Sequence, residues 1–592
     1  MKLSDYVIDF IVHEGVGHLF EFIGGAITHL LDSTHDRKDI RCVSVHHEQA
    51  GAFAAEAYAR MNGRLGVAMA TSGPGALNLL TGVGSCYFDS VPCLFITGQV
   101  NTYEYKFDRP VRQIGFQETD IVSVAGPLTK YAEMVTDPAS IRYHLEKAVY
   151  LARSGRPGPV LLDLPMNIQR AQIDPANVPA FLGSSEHRAL EQQARSDLGN
   201  IGEVVDLMGR AQRPVILAGG GIRTAGAADE FTRLVERSGF PVVTSLMGLD
   251  VIPHDHRAFC GMIGAYGNRY SNLTVANCDL LLILGSRLDS RQTGTRPETF
   301  ARSAKKIHVD IDANELNAKV RADITIRSHL RDFLAALNPA LPERPASDLS
   351  SWYETLRLFR ERYPTAVLAP AGTGINPNRF MDALSRRCAE GDVICLDVGQ
   401  NQMWAAQSFA LKKGQRMLIS GGMGAMGFSL PAAMGAAFAA PGTRQIVLAG
   451  DGGIQINIQD LDTIVRHRLP VKIFVMNNGC LGMVRQMQDL YFDKRQQSTV
   501  IGYGCPDLRA IAAAYGLPSH SVGSLEEAEA VFADWLGAPG PLFVNVRLDQ
   551  GTEVNPKLVV NRPIEDMSPH LDRNELKDVM LIELAEDKDV PQ

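Results

Sequence analysis

Short apolar runs that stop at glycine, asparagine or aspartate recur along this chain, and most are followed by a stretch of helical length. In the first third they read LGVAMATSG, PCLFITGQV and GPVLLDLP. In the middle they read RPVILAGGG, GFPVVTS, DLLLILGS and KKIHVDID, and in the last third DVICLDVG, RQIVLAGDGG, VKIFVMNN and PLFVNVRL. Runs without polar alternation suit strands buried on both faces, and their alternation with helical patterns argues for parallel sheets flanked by helices. The expected fold class is α/β, with three consecutive open parallel-sheet domains. The breaks fall where the sequence turns polar and proline-bearing. They give a first domain over 1–174, a linker over 175–197, a second domain over 198–337, a linker over 338–351, a third domain over 352–550 and a tail over 551–592, whose last dozen residues read as helical or frayed.

The bulk properties exclude some functions. A net charge of −8 and a pI near 6.0 offer no basic surface for nucleic acid or an anionic membrane. No apolar run reaches membrane-spanning length without interruption. Nine cysteines occur without a CxxC pair, which fits reduced thiols better than a disulfide framework. The N-terminal MKLSDYVIDFIVHEGVGHLFEF carries acids through its apolar stretch and reads as an amphipathic helix, not a signal peptide. A cytoplasmic protein is the expectation.

One segment carries chemistry. IVLAGDGGIQINIQDLDTIVRHRLPVKIFVMNNG reads as strand, glycine turn, helix and strand, with a helix starting near Ile456. Asp451 ends the first strand and Asn478 the second, so a single crossover sets a carboxylate and an amide side by side at one sheet edge. Gly450, Gly452 and Gly453 allow a tight turn and close approach of an anion. Few protein ligands, all oxygen, suit Mg²⁺ bridging a diphosphate. Either half alone is more often a structural turn; the pair at this spacing points to function.

GDG followed by NN after a strand–helix–strand interval resembles the thiamine diphosphate (ThDP) binding motif. The chain from Val12 to Gln550 is similar to the acetolactate (acetohydroxyacid) synthase family through HEQAGAFAAEAYAR, TSGPGALNLLTG, FQETDIV, SGRPGPVLLDLP, SLMGLDVIP, SGGMGAMGFSLPAAMGAA and NNGCLGMVRQMQ. The resemblance implies a pyrimidine-binding, a central and a diphosphate-binding domain, in that order. It implies that Glu48 acts on the aminopyrimidine ring as catalytic acid. It makes Met426, in a loop with Gly424, the wedge that bends the cofactor. It assigns Mg²⁺ to the side chains of Asp451 and Asn478 and the carbonyl of Cys480, and diphosphate contacts to Gln400 and Asn401. The family usually has histidine at the second of these positions.

The implied reaction decarboxylates a 2-oxo acid such as pyruvate and adds the two-carbon enamine to a second carbonyl compound, making the protein a ThDP-dependent transferase or lyase. Phe116 and Gln117 match the wall of the substrate pocket, and Arg291 the cation for the second keto acid. Met487 stands where the family has a tryptophan, and the loop NTYEYKFDRPVRQIG is long. These departures keep an alternative open: a ThDP decarboxylase, or a carboligase with a larger acceptor such as a nucleotide-linked keto sugar. The family often holds FAD in its central domain, here implying Arg287, Met247 and Asp310, although Arg327 and Ser328 replace a family glycine–aspartate. The family also builds its active sites across subunits, implying a homodimer or homotetramer.

Overall fold

The computed structural model describes residues 1–343, 348–367 and 374–585. Part of the second linker (344–347) and the end of the tail (586–592) lie outside the described residues. Three six-stranded sheets follow one another, parallel throughout. The first holds β1 His18–Phe22, β2 Arg41–Ser44, β3 Gly66–Ala70, β4 Cys93–Gln99, β5 Tyr131–Met134 and β6 Val160–Pro165, in the order β2-β1-β3-β4-β6-β5. The second holds β7 Pro214–Ala218, β8 Val242–Thr244, β9 Phe259–Met262, β10 Leu280–Leu284, β11 Lys305–Asp310 and β12 Ile324–Arg327, ordered β12-β11-β10-β7-β8-β9. The third holds β13 Val393–Leu396, β14 Arg416–Ile419, β15 Gln445–Gly450, β16 Val471–Asn477, β17 Ser519–Val522 and β18 Leu542–Arg547, ordered β14-β13-β15-β16-β18-β17. Central strands such as β3, β7 and β13 are buried along their whole length, as continuous apolar runs require.

In each sheet the chain reverses its direction of travel across a central strand pair: β1 and β3, β7 and β10, and β13 and β15. Open α/β sheets form their ligand crevice at the carboxyl ends of the strands flanking such a reversal. The third sheet therefore presents the residues after β13 and after β15 to one crevice, with the end of β16 beside them.

The first and third sheets share a core. Helix Glu48–Asn62 is alanine-rich, and helix Ser429–Ala439 is apolar on every side and almost wholly buried. They cross so closely that a Cβ on Gly435 would lie 2.0 Å from the carbonyl oxygen of Ala54.

Two segments sit differently from the sequence expectation. Helix Ser350–Arg362, most of which was expected in the third domain, packs on the central sheet: Trp352 donates its indole N–H to the Pro214 carbonyl at 3.1 Å and is buried with Leu356 and Phe359. The tail packs against the central domain. Lys557–Leu558 and Met567–Ser568 pair antiparallel, and Ile564, Met567 and Leu576 are buried. Helix Arg269–Asn277 holds this segment: Arg269 donates to the carbonyls of Met567 and Pro569, and Asn272 to that of Ile564 at 2.9 Å. Among the described residues no helix is long and apolar enough to cross a membrane.

Candidate active site

The segment that carries the acid and the amide folds largely as its spacing dictates. β15 ends at Gly450, Asp451 opens the short helix Asp451–Ile454, and β16 runs alongside to Asn477. The helix thus starts at Asp451, earlier than the expected Ile456, because the glycines let the chain turn at once. Asp451 and Asn478 are both buried. The Asn478 side-chain oxygen faces Oδ1 of Asp451 at 3.3 Å and the carbonyl oxygen of Cys480 at 3.0 Å, while its Nδ2 donates to Oε1 of Gln400 at 2.9 Å. Turning the amide would place N–H groups on the first two oxygens but would set oxygen against oxygen at Gln400. With the amide oxygen turned inward, Asp451, Asn478 and the Cys480 carbonyl offer oxygen donors of the kind a hard divalent cation takes. Burial pushes the Asp451 carboxyl up, opposed by a 2.7 Å hydrogen bond from the Tyr503 hydroxyl. A bound cation would reverse that shift.

Asp397, just past the end of β13, anchors the neighbouring loop. It is fully buried and accepts from the backbone N–H groups of Val398, Gly427 and Ser429 at 2.9–3.1 Å and from the Ser429 hydroxyl at 2.8 Å. Those bonds fix the loop that carries Gly424 and Met426. Met426 is half-buried, with its methyl 3.3 Å from where a Cβ on Gly452 would stand. Gly453 is required by close approach, since its Cβ would meet Asp397 Oδ1 at 2.3 Å.

Gln400 and Asn401, expected at the diphosphate, make hydrogen bonds within the protein. Asn401 Nδ2 donates to the carbonyls of Asp397 (2.8 Å) and Leu448 (3.0 Å), spending both of its N–H groups inside the sheet edge. Gln400 Nε2 donates to the Thr552 carbonyl at 3.0 Å, and its Oε1 serves Asn478. Gln400 therefore orients the Asn478 amide, and Asn401 ties two strand ends together.

Glu48 opens helix Glu48–Asn62 and is buried. Asn78 donates to its Oε2 at 2.9 Å, and a Cβ on Gly75 would stand 3.0 Å from its Oε1. Asn78 closes helix Pro74–Asn78, whose N-cap, Gly73, has φ +65° and lies against Gln117. Gln117 itself has φ +64°, and Phe116 beside it is 86% exposed. The structure thus gathers Glu48, Phe116 and Gln117 around the TSGPG turn.

Arg291 is exposed, its guanidinium 5.6 Å over the Tyr266 ring, and Tyr266 also neighbours Tyr491 on helix Gly482–Tyr491, the helix of Met487. Met487 is half-exposed and lines an open hollow with Val484, Phe492 and Ile501. In the central sheet, Met247, Arg287 and Asp310 all follow or end strands at the carboxyl edge. Burial lifts the Asp310 carboxyl to about 6. Two buried polar atoms of this sheet, Thr244 Oγ1 and His308 Nδ1, have no hydrogen-bond partner. Arg327 turns away, donating to the carbonyls of Gln193 and Arg195.

The sequence reading gave no role to Asn78, Asp397 or Tyr503. Asn78 stands within TSGPGALNLLTG, and Asp397 within the strand ending DVICLDVG, so the signal for both was an unpaired polar residue at a strand or helix end.

Comparison with known proteins agrees with this layout. Residues 1–124 match the thiamine pyrophosphate enzyme N-terminal TPP binding domain, 201–337 the central domain and 397–546 the C-terminal TPP binding domain. An acetolactate synthase large subunit of Parasynechococcus marenigrum is 37% identical over 556 residues, covering 93% of this chain and 88% of that one. A probable acetolactate synthase large subunit of Methanocaldococcus jannaschii is 36% identical over 566 residues, covering 93% and 92%. The chloroplastic acetolactate synthase 2 of Zea mays is 37% identical over 579 residues, covering 96% and 88%.

Proposed function

The chain belongs to the acetolactate synthase large-subunit family of thiamine pyrophosphate enzymes, and from that premise we propose that it is a ThDP-dependent carboligase, which decarboxylates a 2-oxo acid such as pyruvate and joins the two-carbon unit to a second 2-oxo acid. The observation that carries the site is the cluster of the Asp451, Asn478 and Cys480 oxygens at the strand ends of the third sheet. These three would hold Mg²⁺. Gly450, Gly452 and Gly453 would give the diphosphate room, and the Met426 side chain over Gly452 would support the bent cofactor. Thiamine diphosphate supplies the carbanion that attacks the 2-oxo acid and the electron sink that lets CO₂ leave.

Glu48 holds the proton that passes to and from the aminopyrimidine. Asn78 occupies Oε2, so Oε1 is the atom that exchanges it. Phe116, Gln117, Arg291 and Met487 bound the acceptor, with Arg291 as carboxylate partner. Glu48 acts on cofactor held by a second copy of the chain, so the working unit is a homodimer or homotetramer. An FAD would be held at the carboxyl edge of the central sheet by Met247, Arg287 and Asp310, and its role would be structural, since no redox step is needed. The unpartnered Thr244 and His308 atoms support that placement. Nine free cysteines fit a reducing cytoplasm.

Incubation with pyruvate, ThDP and Mg²⁺ should yield acetolactate. Acetaldehyde and CO₂ alone would overturn the carboligase reading. Turnover that waits for an added keto sugar would revive the larger-acceptor alternative, which these relatives do not favour. A visible absorbance spectrum of the purified protein decides the flavin.

A further inference from the structure

The long loop between β4 and helix Ile121–Ala125 is built around one carboxylate. Glu118 is 5% exposed and makes no ion pair among the described residues. Instead it accepts three backbone N–H groups: Oε1 from Lys106 at 2.9 Å, and Oε2 from Ile114 at 2.7 Å and Gly115 at 3.1 Å. Lys106 and Ile114–Gly115 are the two limbs of an excursion whose crest is exposed at Phe107, Val111 and Ile114. A buried carboxylate that gathers backbone donors in this way makes hydrogen bonds about twice as strong as neutral ones. The side-chain amide of Gln113 ties the same limb to the Glu118 carbonyl at 3.1 Å, and Gln99 reaches the Thr119 carbonyl at 2.8 Å from the end of β4.

The residues just before Glu118 are under strain. Gln117 has φ +64°, a left-handed conformation that a long side chain rarely adopts. It is held between Glu118 on one side and Gly73 on the other, where even a Cβ would come within 2.9 Å of the Gln117 carbonyl oxygen. That backbone fold is what leaves Phe116 standing 86% exposed. Gln117 is the third residue of a turn closed by the Glu118 N–H on the Gly115 carbonyl at 3.2 Å, which accounts for its positive φ, and the clasp on the Ile114 and Gly115 N–H groups fixes where that turn stands.

We propose that Glu118 is the positioning residue of the acceptor side of the site: its buried carboxylate clasps residues 106–118 into the one arrangement that presents Phe116 and Gln117 to the second 2-oxo acid. The inference rests on the carboligase reading for what the loop serves, and on the hydrogen bonds alone for how the loop is held. Glu118 does not touch substrate; it acts by fixing the place of the turn that carries Phe116 and Gln117.

The test compares wild type with Glu118→Gln, which keeps the size but turns an NH₂ against backbone N–H groups. With pyruvate, ThDP and Mg²⁺, the ratio of acetolactate to acetaldehyde should fall about 10-fold or more, because misplacing a contact wall by an ångström costs this much. In parallel, trypsin should cut after Lys106 and Arg112 about 10-fold faster than in wild type at unchanged global melting, as a clasp of strong hydrogen bonds requires. A product ratio and a cleavage rate both equal to wild type overturn the proposal. Equal losses of both products, with a lowered melting temperature, overturn it in favour of general destabilisation. Wild type that makes no acetolactate overturns the carboligase reading, and the trypsin arm then decides the clasp separately.

Discussion

The side-chain oxygen of Asn478 stands 3.3 Å from Oδ1 of Asp451, each at the end of its own strand, with the Cys480 carbonyl 3.0 Å from the same atom. Electrostatics alone would turn the amide over. Gln400 opposes that turn by accepting from its Nδ2 at 2.9 Å, and a divalent cation would remove the reason for it. The Gln400 hydrogen bond thus orients the Asn478 amide from behind, as outer residues orient metal ligands, which supports the proposed cation site.

Removing the charge at this centre should remove the cofactor. Asp451→Asn is expected to weaken Mg²⁺-dependent ThDP binding by at least about 100-fold, and EDTA should do the same to wild type, reversibly. Titration of ThDP by intrinsic fluorescence, with and without Mg²⁺, reads both. Full-strength binding in EDTA would take the cation out of the site.

Asn78 holds Glu48, the residue proposed to carry the proton, and should be costly to lose. Asn78→Ala frees Oε2 of Glu48 and lets the carboxyl rotate within the space beside Gly75. A fall in kcat of roughly 10–100-fold, with ThDP affinity retained, is expected. Glu48→Gln should go further and abolish turnover. Steady-state rates against ThDP titration separate the two. An Asn78→Ala enzyme at wild-type rate would leave that hydrogen bond without catalytic weight.

What was legible from sequence follows from range. Asp451 and Asn478 lie one crossover apart, so local pattern alone sets them side by side, and the apolar runs likewise fix three parallel sheets. Where the Gln400 and Asn401 amides point was not legible, because the direction of an amide depends on what faces it. Here those partners are Thr552 and Leu448, 152 and 47 residues away. The docking of the tail depends in the same way on Arg269 and Asn272, whose partners are nearly 300 residues distant, and no periodicity announces such a pairing. Glu118 sits in the quoted FQETD, yet its partners are backbone N–H groups, which have no signature in sequence.

The crossing of helices Glu48–Asn62 and Ser429–Ala439 predicts opposite outcomes for one substitution at two places. Gly435→Ala would push a methyl to 2.0 Å from the Ala54 carbonyl, a backbone atom that cannot swing away. A loss of about 1–3 kcal/mol is expected. Gly209, inside helix Ile201–Arg210, has nothing within 4 Å of a new Cβ, so Gly209→Ala should instead stabilise by roughly 0.5–1 kcal/mol. Urea midpoints of the two variants should move in opposite directions; movement in the same direction would contradict the packing.

Asp163 gives a pH signature apart from the cation site. It is 1% exposed, accepts from Thr97 Oγ1 at 2.7 Å and Gln99 Nε2 at 2.9 Å, and burial lifts its carboxyl from 3.8 to about 7 in spite of those bonds. In the unfolded chain the group ionises near 3.8, so between there and about 7 the folded state holds a proton that the unfolded state has lost. Stability contributed by Asp163 must then fall as pH rises through this window, by roughly 4 kcal/mol in all, and stay level above it. Asp163→Asn has no proton to lose and can still accept from Gln99 while donating to Thr97. Subtracting its urea-unfolding free energy from that of wild type cancels the other titrating groups. The difference should decline from about pH 4 to about pH 7 and then flatten. A difference that stays flat across the range would show that the buried carboxyl titrates as if it were in water.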